Sequence, residues 1–286
     1  MKPDNDFYIG WQADVPTPFR KAVRWAILVL AVVLPLLAGL LVWQQQGFSG
    51  AVFEYGKLTT LEGELIRTPV PFLRIPVKQA VGNALLFERV LLIGYNKRGA
   101  DSTLNQWEAK QGSLTNKTLT VRGTLIYHDG KAALELTEEA DALVRVSVPA
   151  QPLRPESGRT QAQPMTETGN LGMITVTGEI TDPKCMLGVM KPGEGRPHRS
   201  CAVRCISGGI PPLLSVRNSQ GQANYYLIVG PTGQSLNASI LTDIGRPVQL
   251  RGRLEQADNW LILYTDSIQP IAQAPLDEAF QIAMCH

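Results

Sequence analysis

The sequence is poor in charge and in the residue types that most often do chemistry. Asp, Glu, Lys and Arg make up 18% of its 286 residues, the formal net charge is +2, and there are three histidines and four cysteines. So small a net charge lacks the basic excess by which nucleic-acid binders neutralise phosphates. Aromatics make up 7%, with no stripe of them set among cations as a single-strand groove requires. No G-x-S-x-G, Walker loop, H-E-x-x-H, C-x-x-C-H or paired-carboxylate pattern occurs. Hydrolase, nucleotide-phosphate and c-type haem readings therefore have no motif to support them.

What the chain does have is unevenly placed. Trp25–Trp43 reads WAILVLAVVLPLLAGLLVW and holds no charged residue. Nineteen residues at about 1.5 Å rise span roughly 30 Å, the hydrocarbon thickness of a bilayer. A Trp at each end suits the two interfaces, and membrane helices tolerate Pro35 and Gly39. Arg20, Lys21 and Arg24 precede the span, whereas Gln44, Gln45 and Gln46 follow it and the next cation is Lys57. The positive side stays in the cytoplasm. No A-x-A site follows the run, so an uncleaved anchor is expected. The chain is thus expected in the inner (cytoplasmic) membrane, single-pass, with its N-terminus inside and its domains in the periplasm or outside.

The expected organisation is a cytoplasmic tail (1–24), a transmembrane helix (25–43), a first β-domain with a juxtamembrane connector (44–149), a linker (150–171), a second β-domain (172–275) and a C-terminal tail (276–286). Both β-domains show short apolar runs bounded by turn residues. Leu119–Ile126 and Ala132–Leu136 flank His128-Asp129-Gly130, a hairpin turn because Asp-Gly supports positive φ. Pro247–Leu254 and Trp260–Tyr264 flank Ala257-Asp258-Asn259. Residues 151–170 are rich in Pro, Gln, Thr and Ser and lack aromatics, which reads as a linker.

The two halves match in order. Gly63-Glu64-Leu65 corresponds to Gly178-Glu179-Ile180, Leu91–Gly94 to Leu227–Gly230, and Val121–Leu125 to Leu250–Leu254. The ordered set implies an internal repeat of one small β-domain. The succession of V-x-G-x-L, turn and apolar strand resembles five-stranded OB-type barrels. That resemblance implies a mainly β protein, an N-terminal transmembrane helix followed by two tandem OB-like barrels. It does not carry nucleic-acid binding with it, because fold alone does not fix function.

The halves differ at one point. After the Gly-Glu strand the first has Thr68–Pro76, and the second has Asp182–Pro212, which holds Cys185, His198, Cys201 and Cys205. His198, Cys201 and Cys205 recur at helical spacing and share one face of a turn. Cys185 lies across a Pro/Gly-rich stretch that can fold back to them. As metal ligands these four suit zinc or copper, with Met186 and Met190 nearby as thioethers that favour Cu(I). Cys201-x3-Cys205 also resembles the ligand pair of dinuclear CuA-type copper centres and of copper-chaperone thioredoxin folds. Gly208, Gly209 and Ile210 stand where a CuA centre has its following His and Met, and no thioredoxin pattern surrounds the pair. The spacing is not a common zinc-finger one either.

The alternative is a disulfide among Cys185, Cys201, Cys205 and Cys285, the default for cysteine pairs in an oxidising compartment, which would staple a loop that buries little core. A third reading is thiol redox or electron-transfer chemistry. Lys184, Lys191, Arg196, Arg199 and Arg204 surround the thiols and favour thiolate, and the same cations can dock an anionic ligand or an acidic partner. Cys285 at a frayed tail is an inert thiol unless it or His286 adds a ligand. The expected role is an accessory, binding or assembly subunit rather than an enzyme acting alone. Its partners would be the membrane and another envelope protein or membrane complex, with no nucleic acid. A purely structural scaffold is the remaining reading. An extracytoplasm-dependent reporter fused after His286 should be active, and an inactive fusion on intact protein reverses the orientation.

Overall fold

The computed structural model describes residues 17–44, 50–81, 84–115, 117–147, 169–218 and 222–271. The expected C-terminal tail with Cys285, and most of the expected linker, lie outside the described residues. The chain divides into two compact units, Met1–Phe48 and Ser49–His286. In the first, α1 (Thr17–Gln44) runs through Pro35 without a break. Its Phe19–Trp43 portion is long and apolar enough to cross a membrane. Leu28, Val32, Leu36 and Trp43 are exposed.

The second unit begins with β1 (Val52–Phe53), β2 (Thr59–Ile66), β3 (Phe72–Val81), β4 (Ala84–Ile93), α2 (Asp101–Gln111), β5 (Thr118–His128), β6 (Lys131–Leu136), α3 (Glu139–Ala142) and β7 (Leu143–Ser147). It continues with β8 (Gly169–Thr181), a π-helical turn (Cys185–Val189), α4 (Arg199–Ser207), β9 (Leu213–Arg217), β10 (Ala223–Val229), β11 (Pro247–Ala257) and β12 (Trp260–Pro270). The strands close into two barrels. The first runs β5-β2-β3-β4-β6 and back to β5, with β1 and β7 also pairing on β5. The second runs β11-β8-β9-β10-β12 and back to β11. In chain order the two rings have the same neighbours. Each is closed by one parallel pair between its third and fifth strands, β4 with β6 and β10 with β12. This is the five-stranded closed architecture of OB-type barrels. The matched sequence segments lie in corresponding strands, β2 and β8, β4 and β10, β5 and β11.

Alternation decides what each barrel swallows. Leu119 and Val121 of β5 and Val248, Leu250 and Leu254 of β11 point inward and are buried, because successive side chains on a strand take opposite faces. The first interior contains Leu65, Leu73, Leu92 and Leu134 with Leu104 and Trp107 of α2. The second contains Val176, Leu214, Ile228 and Leu263 with Ala202 and Ile206 of α4. The expected hairpins form, with Asp129 and Gly130 at φ 48° and 67° and Asp258 at φ 51°.

A third apolar cluster belongs to both barrels. Phe72, Leu91 and Ile126 of the first pack with Cys185, Met186, Leu187, Cys205, Leu227 and Trp260 of the second. On one side of it the β11–β12 turn is clamped onto the first barrel. Asp258, fully buried, accepts from Arg89 Nε at 2.8 Å and Arg74 Nε at 3.1 Å. Asn259 Oδ1 accepts from Arg89 N at 2.8 Å, and Trp260 Nε1 donates to Arg89 O at 2.8 Å.

On the other side two backbones meet at glycines. Gly99 N donates to Gly208 O at 2.9 Å. A Cβ on Gly208 would overlap the Lys97 carbonyl oxygen, and one on Gly99 would overlap Gly209. Gly208 has an ordinary helical φ of −78°, so its constraint is space alone. Gly208→Ala should therefore push the barrels apart and cost about 1–3 kcal/mol, as overpacking does. Thermal unfolding of the variant against the parent checks this; an unchanged midpoint would show that the seam does not contribute to stability.

Candidate metal centre

The site is set by how β8 ends. Asp182 follows the strand and turns back, its Oδ1 accepting the Cys185 N–H at 2.9 Å. This is a capping arrangement, with Pro183 next, where its missing N–H costs nothing. The chain then makes the π-helical turn through Gly188, at φ 151°, where a Cβ would strike the Val52 backbone of the first barrel. A side chain at that position would be strained by φ as well as by space. The return is made by α4, with His198 at its N-cap and Gly208 at its C-cap. Pro211 and Pro212 bar its continuation.

Helical spacing gives α4 two faces. Ala202 and Ile206 enter the core of the second barrel, while Cys205, with Cys201 beside it, faces the shared cluster. Cys185 meets them from the opposite segment. Its Sγ is 3.7 Å from Cys201 Sγ, and the sulfurs of Cys185, Cys201 and Cys205 all lie within 4.8 Å of one another. Cys185 and Cys205 are buried, Cys201 is half-buried, and all three are free thiols. The disulfide alternative is thus not seen among these three; Cys285 lies outside the described residues.

His198 is placed beside them but joins a second group. Its ring nitrogen, an Asp182 carboxylate oxygen and Cys185 Sγ lie within 4.8 Å of one another. His198 is 1% exposed and Asp182 is 0% exposed. Nε2 is 3.2 Å from Asp182 Oδ2, yet without hydrogen-bond geometry, so among the described residues neither atom has a hydrogen-bond partner. Nδ1 is 3.2 Å from Thr181 Oγ1. Both groups have donor sets that can hold a metal ion. Asp182 was not among the ligands expected from sequence. Its signal there was its position three residues before Cys185, the offset of a side-chain cap.

The thiols do not share one chemistry. The Cys205 thiol is held low, first by the hydrogen bond from Cys185, then with help from Cys201 and the Lys97 ammonium, against burial and Asp182. Cys185 is pushed up by the same hydrogen bond to Cys205, by burial and by the Asp182 charge. Of the two, Cys205 is therefore the readier to ionise and Cys185 the one that holds its proton.

The cations differ from expectation. Lys184, expected on an exposed basic loop, is buried and paired with Glu135 at 2.6 Å, and it also donates to Asn96 O of the first barrel. A buried ammonium needs such partners. Arg199 gives Nε to Ile244 O at 2.8 Å. Lys191, Arg196 and Arg204 are exposed. The ammonium at the thiols is Lys97 of the first barrel, whose Nζ is 3.4 Å from Cys201 Sγ. The insert also buries more than expected, since Cys185, Met186, Leu187, Cys205 and Ile210 belong to the shared core. The first barrel supplies the cover that a loop read in isolation lacks. Of the two methionines, Met186 is buried and Met190 exposed.

No protein-family model matches the chain, and no curated protein matches it.

Because Lys97 favours the Cys205 thiolate, Lys97→Gln should raise the pH at which that thiol ionises. Thiolate ultraviolet absorbance of the metal-free, reduced protein should titrate at higher pH in the variant; a shift to lower pH, or none, contradicts the role given to Lys97.

Proposed function

We propose that this protein is a single-pass, N-in membrane protein that binds a metal ion, zinc or copper, outside the cytoplasm. Its site is in the second of two OB-like barrels, covered by the first. The observation that carries the reading is the convergence of Cys185, Cys201 and Cys205 with a buried carboxylate and a buried imidazole whose facing atoms have no hydrogen-bond partner among the described residues. A disulfide would join two of the three sulfurs and leave the third, and it would give Asp182 and His198 nothing to do. Thiolate and imidazole are the ligands that zinc and copper select. The charge asymmetry around the apolar helix supports the orientation.

The role is that of an accessory or assembly subunit rather than an enzyme acting alone. Exposed Lys191, Arg196 and Arg204 border the metal-binding segment and suit an acidic surface on an envelope partner. The OB architecture gives no warrant for nucleic acid here, given a net charge of +2. Thiol-disulfide or electron-transfer chemistry is the second reading, favoured by the half-buried Cys201 sulfur 3.7 Å from Cys185.

The full chain, purified in detergent under reducing conditions, should contain stoichiometric zinc or copper. Its thiols should resist a thiol reagent until a chelator is added. Ligand at about 100 Kd adds roughly 2.7 kcal/mol, so chelation should lower the unfolding midpoint by about 5–10 °C at this size. Cys185→Ser, which removes the sulfur common to both donor groups, should lose the metal and the shift together. Metal-free protein that forms a Cys185–Cys201 disulfide once the reductant is removed would decide for the second reading.

A further inference from the structure

The donors around Cys185 form two triads that share one atom, the Cys185 sulfur. We propose that the site is built for two divalent cations of borderline softness such as zinc. Cys185, Cys201 and Cys205 hold one, and Asp182, His198 and Cys185 hold the other, with the Cys185 thiolate bridging them. This rests on the metal-binding reading above and sets its stoichiometry and charge.

The hydrogen bonds around His198 carry the second position. The Thr181 hydroxyl has one hydrogen and donates it to Gly193 O at 2.8 Å. Towards His198 Nδ1, 3.2 Å away, that oxygen can therefore only accept. Nδ1 therefore bears a hydrogen, which leaves the Nε2 lone pair as the one this ring can offer an ion. That lone pair faces Asp182 Oδ2 at 3.2 Å in a buried site. Buried donor atoms that face each other without a hydrogen bond are placed to share a cation. An Nδ1–H held by an outer oxygen is also how a metal-bound imidazole is oriented.

The distances agree with two separate ions. Nitrogen and oxygen donors bound at about 2.0–2.1 Å to one tetrahedral ion lie roughly 3.3–3.4 Å apart, and two sulfurs bound at about 2.3 Å lie roughly 3.8 Å apart. The His198–Asp182 separation of 3.2 Å and the Cys185–Cys201 separation of 3.7 Å match these two edges. Each triad thus already presents one edge of its own tetrahedron, with its third donor within 4.8 Å, and only the Cys185 sulfur belongs to both.

Charge gives the valence. Three thiolates and one carboxylate are neutralised by two divalent ions, whereas two Cu(I) ions would leave two buried negative charges against the single ammonium of Lys97 at Cys201. Lys184 is already committed to Glu135. Loading releases the thiol protons to solvent.

The test uses the full chain in detergent, reduced, stripped with chelator and dialysed against Zn2+ or Co2+. Two ions per chain are expected. His198→Ala and Asp182→Asn should each lower this to one while keeping the sulfur-to-cobalt charge-transfer band, because the thiolate triad is intact. The doubly loaded cobalt protein should give an EPR signal weaker than twice that of His198→Ala, because a bridging thiolate couples the two spins. One ion per chain in the parent protein overturns the proposal and leaves the metal-binding reading standing. Two ions with uncoupled spins overturn the bridge. No bound ion overturns both. The parent's stoichiometry, and its EPR signal per cobalt at one against two equivalents of Co2+, decide without any variant, so a misfolded His198→Ala does not blunt the test.

Discussion

The contact on which the site depends is the close approach of two backbones, Lys97–Gly99 of the first barrel and Gly208–Gly209 at the end of α4. It is possible because neither side carries a Cβ there, and it is fixed by the Gly99 N–H to Gly208 O bond at 2.9 Å. The cover that the first barrel lays over the thiols goes with it. It sets the Lys97 ammonium at Cys201, brings Asn96 O within reach of Lys184, and closes Phe72 and Leu91 over Cys185 and Cys205. Opened, it would expose three thiols and strand the Lys184–Glu135 pair, so the barrels are held together by the same atoms that enclose the site.

The second clamp, at Asp258, works differently. A fully buried carboxylate between Arg74 and Arg89 is not a cheap source of stability, since desolvating the charges offsets much of their attraction. Its value lies in direction. With Asn259 and Trp260 also bonded to the Arg89 backbone, the β11–β12 turn has one way to sit on the first barrel. The apolar cluster between the two clamps then supplies the bulk of the burial. Each fully buried large apolar side chain in it contributes about 1.5–3 kcal/mol.

The thirty-odd residues from Asp182 to Pro212 would cost roughly 1–2 kcal/mol each to order as a free loop. They are instead partitioned. α4 turns Ala202 and Ile206 into one barrel and Cys205 towards the other, and the Asp182 cap and Gly188 fix the π-helical turn against β1. A segment with so many turn residues becomes ordered because two hydrophobic surfaces meet on either side of it. That enclosure in turn buries Asp182 and His198 against each other.

The sequence by itself determined the parts that depend on local order. The apolar run between two tryptophans, the strands of alternating pattern, the Asp129-Gly130 turn and the 198/201/205 spacing on one helix follow from periods of 3.6 and 2 and from φ preferences, which neighbours along the chain dictate. Two five-stranded barrels could be read from ordered matches such as Val121–Leu125 and Leu250–Leu254, because each strand's pattern records which face is buried. Only the tertiary structure decided what crosses between barrels. Nothing local marks Lys97 as the cation at Cys201, sends Lys184 to Glu135 instead of solvent, or sets Asp182 against His198 Nε2. Those pairings join residues far apart in the chain, and their energies come from burial and desolvation, which exist only once the second surface has closed over the first.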